Sequence, residues 1–196
     1  GEIWQGSAQG AQNMVMVTIG TGVGGGVVIN GDVVYGAFGA GGEIGHMCLN
    51  PGESRTCGCG GFGHLEQYSS ASGVVSNYLR ECQMRGVEPI ELSGPSDSRS
   101  VFQACREGDK VAWAAVETMT DYLAQALSII AAIVDPDEFL IGGGASASAD
   151  VYLEKLIEKY QRFTLTVSET TPIKVAELGN DAGIIGSAYV ALRAAK

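Results

Sequence analysis

The sequence predicts an α/β domain that begins with an antiparallel hairpin and continues with parallel strands joined by helices. The first observation is a pair of short β-branched runs, NMVMVTIG at 13–20 and GGVVINGDVVYG at 25–36, which end in Gly or contain Asn-Gly. The second observation is a later alternation of strands and helices, at 138–143, 149–163, 172–178 and 181–195. Because parallel strands need crossover connections, this alternation indicates a parallel sheet.

The hairpin is predicted to bend at Gly20 to Gly25, and two further regions precede the strand at 138. Apolar residues at helical spacing predict a helix over 64–82, with Gly73 as a mild interruption. The polar segment 87–100 carries both Pro and Gly, which is typical of a surface connection and predicts the loosest part of the domain.

A long helix over 109–136 is predicted to be central and buried, because it is apolar on most sides toward its end, and Pro136 stops it. An antiparallel start followed by β-α-β-α is the order expected of one half of a ribonuclease H-like, actin-like ATPase fold.

Composition limits the function. The 196 residues are 45% hydrophobic, which suits a single domain with a full core. The net charge of −10 argues against a nucleic-acid surface, and without an apolar run of membrane length or a leader we expect a soluble, cytoplasmic protein. Five cysteines form no secreted disulfide framework and predict a metal clip plus spare reduced thiols.

The 29 glycines are clustered, at 20–26, 36–45, 58–63 and 141–146. In VTIGTGVGGGVV, backbone N–H groups free of side chains can converge on an anion, with the Thr21 hydroxyl as a further donor. This predicts a phosphate-binding hairpin, although turn geometry alone also explains such glycines. In FLIGGGASASADVYL, three glycines between a strand and a helix predict a surface for the ribose or base of a nucleotide.

The segment HMCLNPGESRTCGCGGFGHLEQY, residues 46–68, places Cys and His side chains in a glycine-rich stretch with little apolar content. Such a stretch cannot stay folded by burial alone, so the cluster indicates a covalent or metal tie.

The motifs GTGVGGGVV, GAGGEIGHM, CGCGGFGHLE, IGGG and LGNDAGIIGSAY together resemble the C-terminal domain of the ROK family of bacterial sugar kinases and repressors. The resemblance covers essentially the whole chain. It implies Mg²⁺- and ATP-dependent phosphorylation of a hexose 6-hydroxyl in a cleft between two domains, in a protein that is commonly a homodimer. The phosphate hairpin and the adenosine loop then correspond to Gly20, Thr21, Gly22 and Gly24, and to Gly142, Gly143 and Gly144.

The family pattern also implies the sugar contacts. Glu43 and His46 of GEIGH and Glu66 of GHLE match the positions that hydrogen-bond the sugar hydroxyls. Carboxylates accept hydrogen bonds from hexose hydroxyls, so the chemistry agrees. Without the motif, both glutamates would be interpreted as solvated surface acids.

A structural zinc is implied as well, in a loop over 46–66. Its ligands are His46, Cys57, Cys59 and His64, and His64 stands where the family has a cysteine. An imidazole is an ordinary zinc ligand, so a Cys2His2 site is chemically sound. Cys48 is a rival for the fourth position, because residues 46 and 48 would share a face if this segment were a strand.

One departure concerns catalysis. Related kinases carry a catalytic aspartate just before the stretch that resembles GEIWQGSAQG, where this chain begins. We therefore expect residues 1–196 to be the C-terminal lobe of a longer protein, with no catalytic residue of their own and no efficient turnover in isolation. Asp32, Asp135 and Asp181 occupy poor positions for a base: a turn, a helix end and a helix start.

Two alternatives to a glucokinase stay open at this point. A repressor of the same family would use this domain to sense a sugar and would bind DNA through another region. A kinase for an N-acetylated hexosamine would use the same machinery as a glucokinase.

Overall fold

The computed structural model describes residues 1–194, and its strands form one mixed sheet in the order β3-β2-β1-β4-β5. The strands are β1 (Met14–Ile19), β2 (Val23–Ile29), β3 (Asp32–Val33), β4 (Glu138–Gly142) and β5 (Ile173–Val175). β2 pairs antiparallel with both β1 and β3, whereas β1 with β4 and β4 with β5 are parallel. The predicted antiparallel start and parallel continuation are confirmed.

Strand β1 lies at the centre of the sheet and divides its residues between two apolar layers. Val15, Val17 and Ile19 belong to the main core, while Met14 and Met16 belong to a smaller cluster on the other face. Successive side chains of a strand point to opposite faces, so this alternation follows from the strand geometry.

The helices within residues 1–194 cover both faces of the sheet. They are α1 (Glu2–Gln5), α2 (Glu66–Ser69), α3 (Ala71–Arg85), α4 (Ser98–Arg106), α5 (Lys110–Val134), α6 (Ala149–Phe163) and α7 (Ala182–Ala194). Helix α5 is the predicted central helix, and its inner face, from Ala112 to Ala131, is buried. It begins at the cap Asp109 and ends at Asp135, whose left-handed backbone precedes Pro136.

The hairpin is tighter than predicted. β2 begins at Val23, so the bend covers Gly20 to Gly22, and Gly24, Gly25 and Gly26 pair with β1. At Gly25 the absent side chain leaves room for the side chain of Ile44, which a β-carbon would overlap. Gly25 therefore serves close packing rather than turn geometry.

The single helix predicted over 64–82 is two helices. The break falls at Ser70, whose extended backbone ends α2 and whose hydroxyl accepts a hydrogen bond from the Gly73 N–H to cap α3. Gly73 itself lies inside α3. The prediction placed the interruption at the glycine because the cap function of a serine inside a helical pattern is hard to distinguish from a helical position.

The segment 87–100, predicted to be a loose surface connection, makes contacts with the core and contains the start of a helix. Ile90 and Leu92 pack against the main core, and α4 begins at Ser98 within the segment. The sequence prediction missed α4, which is nine residues long, because the helix begins inside a polar segment that carries Pro and Gly.

The fifth strand is shorter than the predicted 172–178, and the last residue of the helix predicted over 181–195 lies outside the described residues. No helix among residues 1–194 combines the length and the apolar composition needed to cross a membrane.

Candidate active site

Four side chains of the segment 46–66 converge on one point. Ligand atoms of His46, Cys57, Cys59 and His64 all lie within 4.8 Å of one another. The Cys59 Sγ is 3.3 Å from the His64 Nδ1, and the Cys57 Sγ is 4.0 Å from the His46 Nδ1. The structure therefore brings together the four side chains that the sequence suggested as metal ligands.

Backbone contacts position these side chains. His46 ends a 3-10 turn at Ile44–His46, and His64 forms an isolated antiparallel bridge with Cys48. The loop between the two cysteines closes on itself, because the Gly60 N–H donates to the Cys57 carbonyl at 2.8 Å and the Cys57 N–H donates to the Gly61 carbonyl at 2.7 Å. Gly60 has a φ of 90°, which favours glycine at this turn.

The arrangement fits a tetrahedral metal site. In such a site with Zn–S near 2.3 Å and Zn–N near 2.05 Å, sulfur and nitrogen ligands lie about 3.5 Å apart. The two measured sulfur–nitrogen distances, 3.3 and 4.0 Å, lie on either side of this value. Burial raises the pKa of the Cys57 thiol, which a bound cation would reverse by stabilising the thiolate.

The thiol of Cys48 does not belong to the four-atom cluster found among the described residues. Residues 46 and 48 do not share a strand face as expected, because residues 44–46 form a 3-10 turn and period-two alternation does not apply there.

The three residues suggested for sugar binding, Glu43, His46 and Glu66, make polar contacts with one another or with the metal cluster. Glu43 Oε2 is 3.8 Å from the His46 Nε2, so the two ring nitrogens of His46 face the carboxylate and the metal cluster separately. The Cys57 thiol lies 3.6 Å from the Glu66 Oε1. Glu66 Oε2 in turn accepts a hydrogen bond from the Val23 N–H at 3.1 Å, at the start of β2.

The glycine hairpin lies beside the N-terminus of α3, to which the Gly20 carbonyl is bound by the Ala71 N–H at 2.8 Å. The backbone N–H groups of Thr21 and Gly22 donate to no protein acceptor within residues 1–194. Thr21 is exposed. The hairpin therefore presents donors to the space in front of it.

That space is an open cleft of about 490 Å³ that runs from the hairpin to the glycines after β4. Its walls include Gly20, Thr21, Gly144 and Ala145. Gly142 ends β4, and Gly143, with a φ of 82°, packs so closely against the backbone of Ile19 that a β-carbon would overlap it. Gly20 and Thr21 of one suggested glycine loop and Gly144 of the other thus line one cleft of ligand size, whereas Gly22, Gly24, Gly142 and Gly143 are not among its lining residues.

A third wall of the cleft was missed by sequence reasoning. It is formed by residues 93–99, the end of the segment predicted to be a surface connection. Asp97 organises this wall, because its carboxylate accepts hydrogen bonds from the Ser93 N–H at 2.9 Å and from the Ser100 hydroxyl at 2.7 Å. These bonds lower the pKa of Asp97 to about 2. The pattern Asp-x-x-Ser is a helix-cap signal that could have indicated the start of α4.

A partly buried polar network behind the metal loop was also missed. Glu53 accepts hydrogen bonds from the backbone N–H of Arg55 at 3.0 Å, from its guanidinium and from the Tyr68 hydroxyl at 2.8 Å. Arg55 also donates to the Ser76 hydroxyl, and Tyr68 stacks on Tyr122 at 3.8 Å between ring centroids. The network ties the loop to α3 and α5.

Burial and hydrogen bonding both shift the pKa values of Glu53 and Tyr68 in this network. Burial alone would raise the pKa of Glu53, but the backbone N–H and guanidinium of Arg55 and the Tyr68 hydroxyl lower it to about 2. Burial and the bond to Glu53 raise the pKa of Tyr68 to about 12. Glu53 is therefore ionised, and Tyr68 neutral, over the physiological range.

A mixed sheet with a glycine hairpin and a strand-glycine-helix loop at one cleft is the arrangement of the actin-like ATPase fold, and the structural neighbours share that fold. Residues 1–194 match the ROK family. The chain belongs to the ROK family.

The relatives of this chain include sugar kinases. The chain is 34% identical to a glucokinase of Halalkalibacterium halodurans, over 97% of this chain and 59% of that protein. It is 32% identical to an N-acetylmannosamine kinase of Haemophilus influenzae, over 93% of this chain and 56% of that protein. The chain thus spans less than two thirds of the length of these relatives.

Solved structures of ROK family proteins share the fold of this chain. A ROK family glucokinase from Streptomyces griseus, in complex with glucose and AMPPNP, superposes with a TM-score of 0.83 at 28% identity, over 96% of this chain and 63% of that one. A ROK family transcriptional regulator, a homologue of the E. coli MLC protein, shares the fold with a TM-score of 0.74 at 24% identity, over 90% of this chain and 44% of that one.

The Glu53 network generates a pH-dependent prediction. The folded-state pKa of Glu53 lies below its ordinary value of 4.5, so its contribution to stability is present above that value and is lost as the pH falls toward 2. Glu53→Gln should lower the free energy of unfolding by about 2 kcal/mol at pH 7, and the difference from the wild type should shrink as the pH falls from 5 to 3.

Urea unfolding at each pH measures this difference. The control is Glu81→Gln, which removes a surface ion pair with Arg85 on α3 and should cost about 0.5 kcal/mol or less at pH 7. A constant difference between wild type and Glu53→Gln from pH 7 to 3 would contradict the assignment.

Proposed function

We propose that this chain is the nucleotide-binding and sugar-binding lobe of an ATP-dependent hexose kinase. The observation that carries the proposal is the position of Glu66, which lies between the metal cluster at Cys57 and the hairpin at Val23. A phosphoryl acceptor held by this carboxylate would lie next to the loop that holds the phosphoryl donor. Adjacency of the two substrates is what phosphoryl transfer requires of a protein.

In this proposal the nucleotide occupies the cleft between the two glycine loops. Its adenosine lies along the loop of Gly142, Gly143 and Gly144, of which Gly144 lines the cleft, and its phosphates face Thr21 and the backbone N–H groups of the hairpin. A Mg²⁺ ion bound with the nucleotide would neutralise charge on the phosphates. The chain's own contribution is the set of fixed N–H donors, which cost no reorganisation when the phosphates arrive.

The sugar is held by Glu43, His46 and Glu66 in the proposed complex. Glu43 is largely exposed, with 63% of its side-chain surface accessible, and can reach a ligand that enters from solvent. Glucose is the proposed substrate, supported by the glucokinase relatives. The relative named an N-acetylmannosamine kinase supports an N-acetylhexosamine as the second candidate. The regulator shares only the fold, so a sugar-sensing role has no comparable support.

The proposed metal is a zinc ion held by His46, Cys57, Cys59 and His64. A four-ligand site of this composition is closed, so its chemistry is structural rather than catalytic. The ligands come from both ends of a glycine-rich loop, and Glu66 follows His64 by two residues. Fixing His64 therefore fixes the start of α2, where Glu66 lies.

The base that would accept the sugar proton is proposed to lie outside this chain, in the part of the relatives that the chain does not span. Among the described residues, Asp32 lies in the edge strand β3 and Asp135 lies at the far end of α5. Neither residue lines the cleft.

A direct test of the nucleotide assignment substitutes a glycine that opens onto the cleft. A β-carbon at Gly20 meets no atom within 4 Å, whereas one at Gly22 would overlap the Glu66 carboxylate. A substitution at Gly20 therefore tests the nucleotide site without disturbing the proposed sugar ligand Glu66. Gly20→Val should weaken binding of Mg²⁺-AMPPNP at least tenfold, because its methyl groups occupy the space in front of the hairpin, and should change glucose affinity less than twofold.

Isothermal titration of each ligand measures both affinities. Gly183→Val, at another open glycine on α7, is the matched control and should leave both unchanged. If Gly20→Val weakens glucose binding and spares AMPPNP, the hairpin has been assigned to the wrong ligand.

Metal analysis tests the proposed ligand set independently of activity. His64→Ala should lose the tightly bound zinc, because three ligands leave the site open, whereas His64→Cys should keep one zinc per chain. Cys48→Ser should also keep one zinc per chain. Zinc lost in Cys48→Ser but retained in His64→Ala would transfer the fourth ligand to Cys48.

A further inference from the structure

The Glu66 carboxylate lies against the hairpin rather than in the open cleft. Its Oε2 accepts from the Val23 N–H at 3.1 Å, and its Oε1 lies 3.6 Å from the Cys57 thiol. The residue before Val23 is Gly22, where a β-carbon would overlap the carboxylate. Glycine at this position is therefore what allows the acid and the hairpin to approach so closely.

This contact changes what the hairpin offers to a phosphate. The N–H groups of Thr21 and Gly22 have no protein acceptor among the described residues, but the next N–H along the turn, that of Val23, already donates to a carboxylate. An incoming phosphate meets one donor fewer. The phosphate also meets the negative charge of Glu66 beside the two remaining donors, the N–H groups of Thr21 and Gly22. Two negative charges so close together repel appreciably in a half-exposed site.

We propose that Glu66 sets the nucleotide affinity of the hairpin, and that a bound sugar raises this affinity by taking the carboxylate away from Val23. The inference rests on the proposed function and adds a second role for one residue. Without sugar, Glu66 occupies the third hairpin donor. With sugar, its oxygens accept from sugar hydroxyls, and the Val23 N–H becomes available to the phosphates.

The two ligand sites are then coupled through a single side chain. Because coupling free energies are reciprocal, nucleotide bound at the hairpin should tighten sugar binding by the same factor. The carboxylate exchanges one set of donors for another and is never left unpaired, so the rearrangement needs no buried, unsatisfied charge.

The test compares the wild-type chain with Glu66→Gln by titration of Mg²⁺-AMPPNP without sugar. Glutamine keeps the shape and an acceptor oxygen for the Val23 N–H but removes the negative charge, so AMPPNP should bind about fivefold more tightly to Glu66→Gln at 50 mM salt, and the gain should shrink at 500 mM salt. Equal or weaker AMPPNP binding in Glu66→Gln would overturn the inference.

A second measurement needs no substitution. Saturating glucose should tighten AMPPNP binding to the wild-type chain several-fold and should shift the Val23 amide resonance in a ¹⁵N-labelled sample. Glucose that binds while leaving AMPPNP affinity and the Val23 resonance unchanged would overturn the inference and leave the proposed function standing. AMPPNP that binds neither the wild type nor Glu66→Gln would overturn both.

Discussion

The carboxylate of Glu66 accepts a hydrogen bond from the Val23 N–H of the sheet hairpin, and it lies 3.6 Å from the Cys57 sulfur of the glycine-rich loop. Everything proposed for the site depends on this position. The hairpin belongs to the central strands and cannot move without disturbing the core, whereas the loop has little apolar content of its own. Glu66 is thus the point where a rigid part and a weakly packed part of the domain meet.

The weakly packed part is restrained by chemistry instead of burial. On one side, four thiol and imidazole groups converge at metal-binding distances. On the other side, Glu53, Arg55 and Tyr68 tie the same loop to α3 and α5 through a network that is largely shielded from water. Polar networks of this kind specify one arrangement, because each member loses its partners if the loop shifts. The metal-binding group includes His64 and the polar network includes Tyr68, so Glu66 lies between the two restraints along the chain.

Much of this arrangement could be predicted from the sequence, for physical reasons that differ between elements. β1 is a short apolar, β-branched run that ends in Gly, α5 has a helical pattern, and Pro136 marks the end of α5. The metal-binding group could be predicted from the sequence because Cys and His side chains in a glycine-rich loop have few other roles. The break at Ser70 and the start of α4 at Ser98 were missed, because both depend on single caps within otherwise ambiguous patterns.

Contacts between residues far apart in the chain could not be predicted from the sequence. Nothing in the spacing of residues 53–68 indicates that Tyr68 would bond Glu53 or stack on Tyr122, since those contacts depend on how α2 and α5 pack. The bond from Val23 to Glu66 joins residues 43 positions apart and appears only when the hairpin and loop meet. The cleft wall at 93–99 was likewise hidden, because a polar segment with Pro and Gly carries the same local signal whether it is solvated or lines a ligand site.

The central claim is that the metal loop and the hairpin behave as one unit through Glu66, and amide hydrogen exchange tests it most directly. The measurement compares the zinc-loaded chain with the same chain after chelation, at single-residue resolution over residues 14–29 and 46–69. The account predicts faster exchange in the loop after chelation together with faster exchange at the Val23 amide, because the acceptor of that amide loses its anchor. Faster exchange in the loop with an unchanged Val23 amide would contradict it.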